Sequence, residues 1–314
     1  MFIVKNRKIF YTFSITLIVL SFAALFTWGL VLGIDFKGGS VMEFTYPDGK
    51  PDIETVRTSL NTLPFADTIK DLRPVGDNGY FIKLRFVSDA TSTVASTSIS
   101  ERVLLQNAVN VSGFKAEIKK FNSIGPVLGK EAAQKAIVSI ILVLLCIIAF
   151  ITFAFRKVAE PVQSWKYGLF AVVALSHDII VPIGIFSVLG HYLGYEVDTL
   201  FVTAMLVILG FSIHDTIVVY DRIRENLKIN RGLGKAAKQF DEVVGMSISQ
   251  TFIRSINTSV SVILAVFALY FFGPVSTKIF SLVLIIGVFF GTYSSIFIAS
   301  NLLVTIQKFV DKKK

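Results

Sequence analysis

Long apolar runs dominate the chain, and a more polar segment interrupts them after the first run. Six runs are long enough to cross a bilayer as a helix, which takes about 20 apolar residues. They comprise Ile9–Leu32, Ala136–Phe155, Gly168–Leu189, Leu200–Tyr220, Ser247–Phe272 and Ile279–Ile306. The pattern predicts an α-helical polytopic membrane protein with six transmembrane helices.

The first run follows Lys5, Arg7 and Lys8, as the apolar region of a signal peptide would. It is longer than such a region, and no A-x-A cleavage site follows it. We therefore interpret it as an uncleaved first span.

The segment between the first two runs, residues 34–133, has the periodicity of short strands and helices. Its order is strand SVMEFTY, helix PDIETVRTSLNTL, strands TIKDLRPV and YFIKLRF, helix TVASTSISERVLLQNAVNV and strand FKAEIKKF. The turn sequence GDNG indicates a hairpin between the second and third strands, and Asp52 is a candidate helix cap. This βαββαβ order predicts an α+β, ferredoxin-like domain.

Apolar positions in two of these strands predict the core of the inserted domain. They are Tyr80, Ile82, Leu84 and Phe86 in the third strand, and Phe114, Ala116 and Ile118 in the last. The domain contains no histidine. Its glycine-rich sequence GIDFKGGS has Gly39 where a phosphate-binding loop needs lysine, and GPVLGKE lacks the serine or threonine of that motif. We expect a binding surface here, with Gly38 and Gly39 in a tight turn.

Charge distribution predicts the orientation of the spans. The chain has 31 basic and 22 acidic residues, a net charge of +9, yet residues 33–133 contain 12 of each. The excess lies in the two termini and in alternate loops, whereas the loops His191–Asp198 and Gly273–Thr277 have no lysine or arginine. By the positive-inside rule both termini are cytoplasmic and the inserted domain is extracytoplasmic. This basic excess indicates topology and no nucleic-acid partner.

These patterns predict four parts of the chain. They are a cytoplasmic tail with the first helix (1–33), the extracytoplasmic domain (34–133), a five-helix transmembrane region (134–307) and a basic cytoplasmic tail (308–314). The single cysteine, Cys146, lies in the second span, so we expect the inserted domain to fold without disulfides.

Three charged residues lie within the predicted spans: Asp178, Asp215 and Arg254. Charge is costly in hydrocarbon, so such residues face the interior of a bundle and are usually functional. At about 1.5 Å per residue, Asp215 and Arg254 lie about 24 Å and about 27 Å from the outer ends of their spans. They could pair directly or through water. The alternative is a structural ion pair or a side chain that reaches the interface.

The fifth span has polar residues at spacings of three and four. They are Ser247, Gln250, Thr251, Arg254, Asn257, Thr258 and Ser261. Such residues fall on one helical face. We expect this face to line either a hydrated path or a hydrogen-bonded seam between helices.

Histidine precedes aspartate twice, in His177–Asp178 of the third span and His214–Asp215 of the fourth. Adjacent residues of a helix point about 100° apart, so neither pair is a ready chelate. No zinc-ligand spacing is present, and we expect no metal or other cofactor. Both histidines are candidates for a supporting polar path, although His177 could equally be a hydrogen-bonded interior residue.

The sixth span has small residues at four-residue intervals, with Gly287, Gly291 and Ser295 as its clearest members. A small-xxx-small face lets two membrane helices approach closely. We predict helix packing at these positions.

Four stretches together resemble the SecF family of the resistance-nodulation-division superfamily, whose members are six-span subunits of the bacterial SecD–SecF protein-export machinery. They are GIDFKGGS after the first span, SHDIIVPIGIFSVLG in the third, GFSIHDTIVVYDRIREN in the fourth and QTFIRSINTS in the fifth. The family's intramembrane aspartate falls on Asp215 and its fifth-span arginine on Arg254. One departure is the segment from Asp221 to Val244, which is longer than the resemblance implies.

The resemblance implies a location in the bacterial cytoplasmic (inner) membrane and export of unfolded preproteins through the SecYEG channel. Protons would drive this export alongside the SecA motor. It further implies a SecD partner that supplies the second six-span half, and it allows a YajC-like accessory protein.

Two other functions stay open. A half-transporter of the same superfamily could export a small molecule or lipid, although six spans and one small inserted domain argue against it. A purely structural scaffold of the channel would hold Asp215 and Arg254 in a static bridge. No pairing of nucleophile and base is visible in the sequence, so we do not expect an enzyme.

Overall fold

The computed structural model describes residues 2–85, 94–111, 113–155, 163–274 and 277–311. Contacts divide the chain into two compact units. The membrane unit consists of Met1–Val31 and Ile137–Lys314, and the inserted unit is the segment Leu32–Ala136.

Six helices in the described residues are long and apolar enough to cross a membrane, which confirms the predicted number of spans. A short helix, α1 (Phe2–Lys5), precedes them. The first five spans are α2 (Arg7–Trp28), α6 (Pro126–Ala154), α7 (Ser164–Leu193), α8 (Thr199–Arg231) and α9 (Phe240–Phe272). The sixth consists of α10 (Lys278–Ser294), a π-helical segment (Ser295–Ala299) and α11 (Ser300–Asp311).

The fourth and fifth spans extend well beyond their apolar runs. The fourth continues to Arg231, and the fifth begins at Phe240, so the segment expected as a long loop is mostly helix. Asn230 closes the short connection by donating to the carbonyl of Lys238 at 2.9 Å and accepting its backbone N–H at 2.8 Å. Polar residues continue these helices because helix formation outside the membrane does not require an apolar sequence.

The spans differ in how far their own chain covers them. We compare an apolar 18-residue stretch of each span. In the third and sixth spans 61% of this stretch is buried, against 17% in the fifth and 6% in the second. The third and sixth spans are therefore central to the membrane unit, and the fifth and second present most of their surface outward.

The third span packs closely against the first. Ser187 donates to the carbonyls of Ala24 (2.9 Å) and Gly29 (2.6 Å). Gly184 faces Ser21, and a Cβ at this glycine would overlap that serine. Small residues thus allow the two helices to approach, as they commonly do in membranes.

The inserted unit contains one four-stranded sheet and the helices α3 (Ile34–Lys37), α4 (Ile53–Leu60) and α5 (Val94–Val109). Its strands are β1 (Gly39–Thr45), β2 (Ile69–Val75), β3 (Gly79–Leu84) and β4 (Glu117–Ile124). The sheet order is β2-β3-β1-β4, and every neighbouring pair is antiparallel. The predicted βαββαβ order and ferredoxin-like fold are confirmed.

The predicted turn and helix signals of this unit are also observed. The Asp52 side chain accepts the backbone N–H of Glu54 at 3.3 Å and caps α4. Gly38 and Gly39 have φ of 78° and 144°, where residues with a Cβ are strained. A Cβ at Gly38 would meet the backbone of Pro126 within 2.9 Å, so this turn requires glycine for space as well.

Alternation along β3 predicts the core correctly, because Tyr80, Ile82 and Leu84 are all buried. Phe86 lies outside the described residues.

The last strand begins at Glu117, later than predicted. Phe114 and Ile118 are only partly buried against the core, whereas Ala116 is buried. The chain first turns between Val111 and Phe114, which form an isolated bridge. Phe114, the first residue that the alternating pattern had assigned to the strand, therefore belongs to this turn.

Candidate functional site

Asp215 lies on α8 inside the membrane unit, with 2% of its surface exposed. The hydroxyl of Ser259 on α9 is 3.4 Å from its Oδ2 atom. That hydroxyl is also 2.5 Å from the hydroxyl of Thr292 on α10. The carboxyl group therefore sits where three helices meet, with one long contact to a hydroxyl donor.

Arg254 has a different environment, although the sequence placed it at the same depth. Its side chain is exposed on α9, and among the described residues no ion pair joins it to Asp215. Without a direct contact, its charge can reach that carboxylate only through longer-range electrostatics. The direct pairing that equal depth allowed is thus not observed.

Arg254 lines a polar cleft of about 290 Å³ between the fourth and fifth spans. Arg222 crosses this cleft, donating to Gln250 and to Glu225, each at 2.6 Å. Asn226 also donates to the Gln250 oxygen at 2.8 Å. The other lining residues are Val218, Asp221 and Thr251.

The polar face predicted on the fifth span divides into two lines. Ser247 and Thr251 are buried, and the same line continues to Ser255 and Ser259. The second line is exposed and contains Gln250, Arg254, Asn257 and Ser261, with Thr258 half-buried beside it. The buried line forms a seam with neighbouring helices, whereas the exposed line begins in the cleft at Gln250 and Arg254 and continues outward at Asn257 and Ser261.

Asp178 on α7 is fully buried and collects three hydrogen-bonding partners. Its Oδ2 atom accepts the hydroxyls of Ser212 on α8 at 2.5 Å and Ser294 on α10 at 2.6 Å. Its Oδ1 atom is 3.0 Å from Nδ1 of His177. This carboxyl group ties three helices together.

Pro182 lies one turn after Asp178 within the same helix. Proline has no N–H, so the carbonyl of Asp178 lacks its usual helical partner and the helix is locally perturbed.

The two histidines are placed differently. His177 is buried, and its Nε2 atom has no hydrogen-bond partner among the described residues. His214 is exposed on α8. The described residues contain no group of three histidine, cysteine or acidic side chains that could hold a metal ion.

Gly287 and Gly291 of the sixth span face the fourth span. A Cβ at Gly287 would overlap the side chain of Ile208, and one at Gly291 would lie 3.0 Å from the Cβ of Ser212. Ser295 continues this face by donating to the carbonyl of Ser212 at 3.1 Å. The three small residues therefore lie along the contact between α8 and the sixth span.

Four hydroxyl residues of the site were not singled out from the sequence: Ser212, Ser259, Thr292 and Ser294. Serine and threonine are common in membrane helices, so their type alone carries little information. The usable signal was their position. Ser212 lies one turn before Asp215, and Ser259 continues the Thr251 line at intervals of four.

Six spans, buried intramembrane carboxylates and a ferredoxin-like insertion after the first span define a polytopic membrane protein of the transporter type. The family model described as Protein export membrane protein SecD/SecF, C-terminal, matches residues 104–309. The SecD/SecF GG Motif matches residues 23–46. The chain belongs to the SecD/SecF family.

Curated relatives match nearly the whole chain. The protein translocase subunit SecF of Thermobaculum terrenum is 41% identical over 305 residues, which cover 96% of this chain and 93% of the relative. That of Anaerolinea thermophila is 35% identical over 96% of this chain and 92% of the relative. Relatives that are translocase subunits support a role in protein translocation.

Two solved structures have a similar fold. SecDF from Thermus thermophilus, described as a translocon-associated membrane protein, superposes with a TM-score of 0.75 at 29% identity over 97% of this chain. SecDF in a super-membrane-facing form gives a TM-score of 0.64 at 28% identity over 96% of it. The present chain spans 38% of each of those longer chains.

Proposed function

We propose that this chain is the proton-coupled subunit of a Sec protein-export complex and that it works with SecD. The observation that carries the proposal is a buried carboxylate, Asp215, next to an outward-facing line of polar residues on the fifth span. Polar side chains do not face lipid without a partner. A SecD chain covering this line would complete a site to which Asp215 and Arg254 both contribute.

The lengths of the relatives support this pairing. The name SecDF combines SecD and SecF, and the present chain spans 38% of that SecDF chain. The present chain corresponds to one part of that molecule, and SecD would supply the other part.

The proposed orientation follows from the charge distribution. Both termini lie in the cytoplasm, the membrane is the bacterial inner membrane, and the inserted domain is outside. From there the domain would hold unfolded preprotein that emerges from SecYEG while the SecA motor acts on the other side. A YajC-like protein is a further candidate partner.

The proposed coupling uses protonation of Asp215. A proton entering from outside neutralises the carboxylate and removes its attraction to Arg254. The spans then repack, and the inserted domain moves with them. A potential of about 100 mV supplies about 2.3 kcal/mol per charge, which biases a two-state equilibrium about fiftyfold.

A static Asp215–Arg254 bridge, as a scaffold would need, receives less support. No ion pair joins the two side chains among the described residues, and Arg254 is exposed. Export of a small molecule or lipid by a half-transporter receives no support from the relatives, which are translocase subunits.

The test is Asp215→Asn, which keeps size and most hydrogen bonding but cannot titrate. We expect the variant to insert and to co-purify with SecD. In inverted vesicles it should lose the export that depends on the proton gradient and keep the ATP-driven part. Full response to the gradient would refute the proton-carrier role, whereas failure to co-purify with SecD would favour the static bridge.

A further inference from the structure

One short stretch of the sixth span contacts both carboxylate sites. The hydroxyl of Ser294 donates to Asp178 at 2.6 Å. Two residues earlier, the hydroxyl of Thr292 is 2.5 Å from Ser259, which in turn contacts Asp215 at 3.4 Å. Two sets of buried polar contacts therefore meet on this stretch, one from Asp178 to Ser294 and one from Thr292 through Ser259 to Asp215, and the backbone of α10 joins them.

The hydroxyl of Ser259 has one hydrogen and three oxygen neighbours. They are Oδ2 of Asp215 at 3.4 Å, the hydroxyl of Thr292 at 2.5 Å and the carbonyl of Ser255 at 2.8 Å. A hydroxyl donates one hydrogen but accepts two. If Thr292 donates to Ser259, the hydrogen of Ser259 can go to Asp215 or to the nearer carbonyl of Ser255.

The opposite arrangement is also available. Thr292 lies 2.8 Å from the carbonyl of Val288 and can donate there. It then accepts the hydrogen of Ser259, and Asp215 loses this donor. The position of Thr292 thus affects whether the hydroxyl of Ser259 can donate to the carboxyl group on α8.

Asp178 fixes the part of α10 that carries Thr292. Without it, Ser294 would keep only the carbonyl of Gly291, 3.1 Å away in its own helix. Ser212, which also donates to Asp178, lies against Gly291. Asp178 therefore holds α8 and α10 in register at this level.

The other titratable or charged groups near Asp215 come from two helices, with His214 on its own helix and Arg254 on α9. From α10 the hydroxyl of Thr292 is linked to it through Ser259. The sixth span can therefore influence Asp215 through hydroxyl position.

We propose that Asp178 is a positioning residue for Asp215, acting through Ser294 and Thr292. Its task is to accept hydroxyl hydrogens, and its own charge need not change during transport. The inference rests on the proposed proton-coupling role of Asp215. It predicts that replacement by asparagine abolishes gradient-driven export at Asp215 but is tolerated at Asp178.

Asp178→Asn keeps an acceptor. The amide oxygen can take the hydrogens of Ser212 and Ser294, and the amide NH₂ can face Nδ1 of His177, which accepts in its other tautomer. Asp178→Ala removes the carboxylate, so the hydroxyls of Ser212 and Ser294 lose this acceptor.

The experiment measures gradient-driven export in inverted vesicles as a function of pH, with SecD present and per amount of assembled complex. We expect Asp178→Asn to stay within about twofold of the parent, as loss of a single weak contact would allow. Asp178→Ala should lose about tenfold and shift the pH midpoint by about half a unit or more, because a hydrogen bond to a carboxylate changes its proton affinity. Ser294→Ala, which removes only one donor, should shift the midpoint in the same direction.

Three results would overturn the assignment. Asp178→Asn as inactive as Asp215→Asn would mean that Asp178 itself carries charge. The second result is a lower yield of Asp178→Ala, with the pH midpoint unchanged in this variant and in Ser294→Ala. Asp178 would then serve folding alone. Full gradient response in Asp215→Asn would remove the proposed function and this inference together, whereas the first two results leave the proposed function intact.

Discussion

Asp215 and Asp178 are both buried, but they differ in the number of donors that surround them. Asp178 has two short hydroxyl contacts and a histidine nitrogen. Asp215 has one hydroxyl at 3.4 Å. A carboxyl group with few fixed donors can change protonation with little rearrangement, whereas one with three partners holds its neighbours in place. The residue type is the same, and the difference in surroundings is the reason for which we propose different roles.

Arg254→Gln tests whether the exposed arginine acts only in the assembled complex. Because Arg254 is exposed and has no ion pair among the described residues, the isolated chain should keep its thermal stability. In vesicles with SecD, gradient-driven export should fall by about tenfold or more. A tenfold loss corresponds to about 1.4 kcal/mol of lost interaction.

Arg222→Gln is the matched control, since both arginines line the same cleft. It removes the contacts to Gln250 and Glu225, which should cost at most about 1 kcal/mol at a partly exposed position. Its export should still respond to the gradient. Equal loss in both variants would show that the cleft needs positive charge without regard to position.

Among the elements, the contact between α8 and the sixth span is the most demanding on side-chain size. Gly287→Ala should destabilise the membrane unit by about 1–3 kcal/mol, a typical cost of overpacking, because the new methyl group would overlap the buried Ile208. Thermal unfolding in detergent measures the effect.

Gly210→Ala on α8 provides the comparison, because a Cβ there meets nothing within 4 Å. Alanine also favours a helix over glycine by up to about 1 kcal/mol. The control should therefore unfold at the parent temperature or above it. A Gly287→Ala protein that is as stable as the Gly210→Ala protein would contradict close packing at this contact.

Periodicity was sufficient to predict the elements themselves. Twenty or more apolar residues define a span without reference to its neighbours, and alternation with the GDNG turn defined the β2–β3 hairpin. The same reasoning missed the C-terminal end of α8 and the N-terminal end of α9, because those residues form helix outside the apolar region that hydropathy detects.

The site was less predictable than the fold because it depends on which helices are neighbours. Spacing grouped Thr251 and Arg254 on one face, but the structure buries the first and exposes the second. No pattern within a single helix could identify Ser294 as a partner of Asp178, since that contact joins residues 116 positions apart. Charge in an apolar run identified the carboxylates, but only the packing shows that their hydrogen-bonding partners differ.

For the whole molecule, the exposed surface of the fifth span is the feature that a single chain leaves unexplained. Only 17% of its apolar 18-residue stretch is buried, and Asn257 and Ser261 lie on its outward face. In hydrocarbon, polar side chains on such a face associate with another helix. A second membrane protein on this side would cover the line and face the cleft that contains Arg254.

Photocrosslinking can locate that partner. A photoreactive benzoylphenylalanine at Asn257 should form an adduct with SecD when both chains are expressed in the same membrane. The same group at Phe289 is the control, because Phe289 is 61% exposed on α10 and apolar, so it suits contact with lipid. Adduct mass on a denaturing gel, followed by peptide identification, gives the readout. An adduct with SecD from Phe289 and none from Asn257 would mean that the partner covers a different face, and the polar line on α9 would then need another occupant.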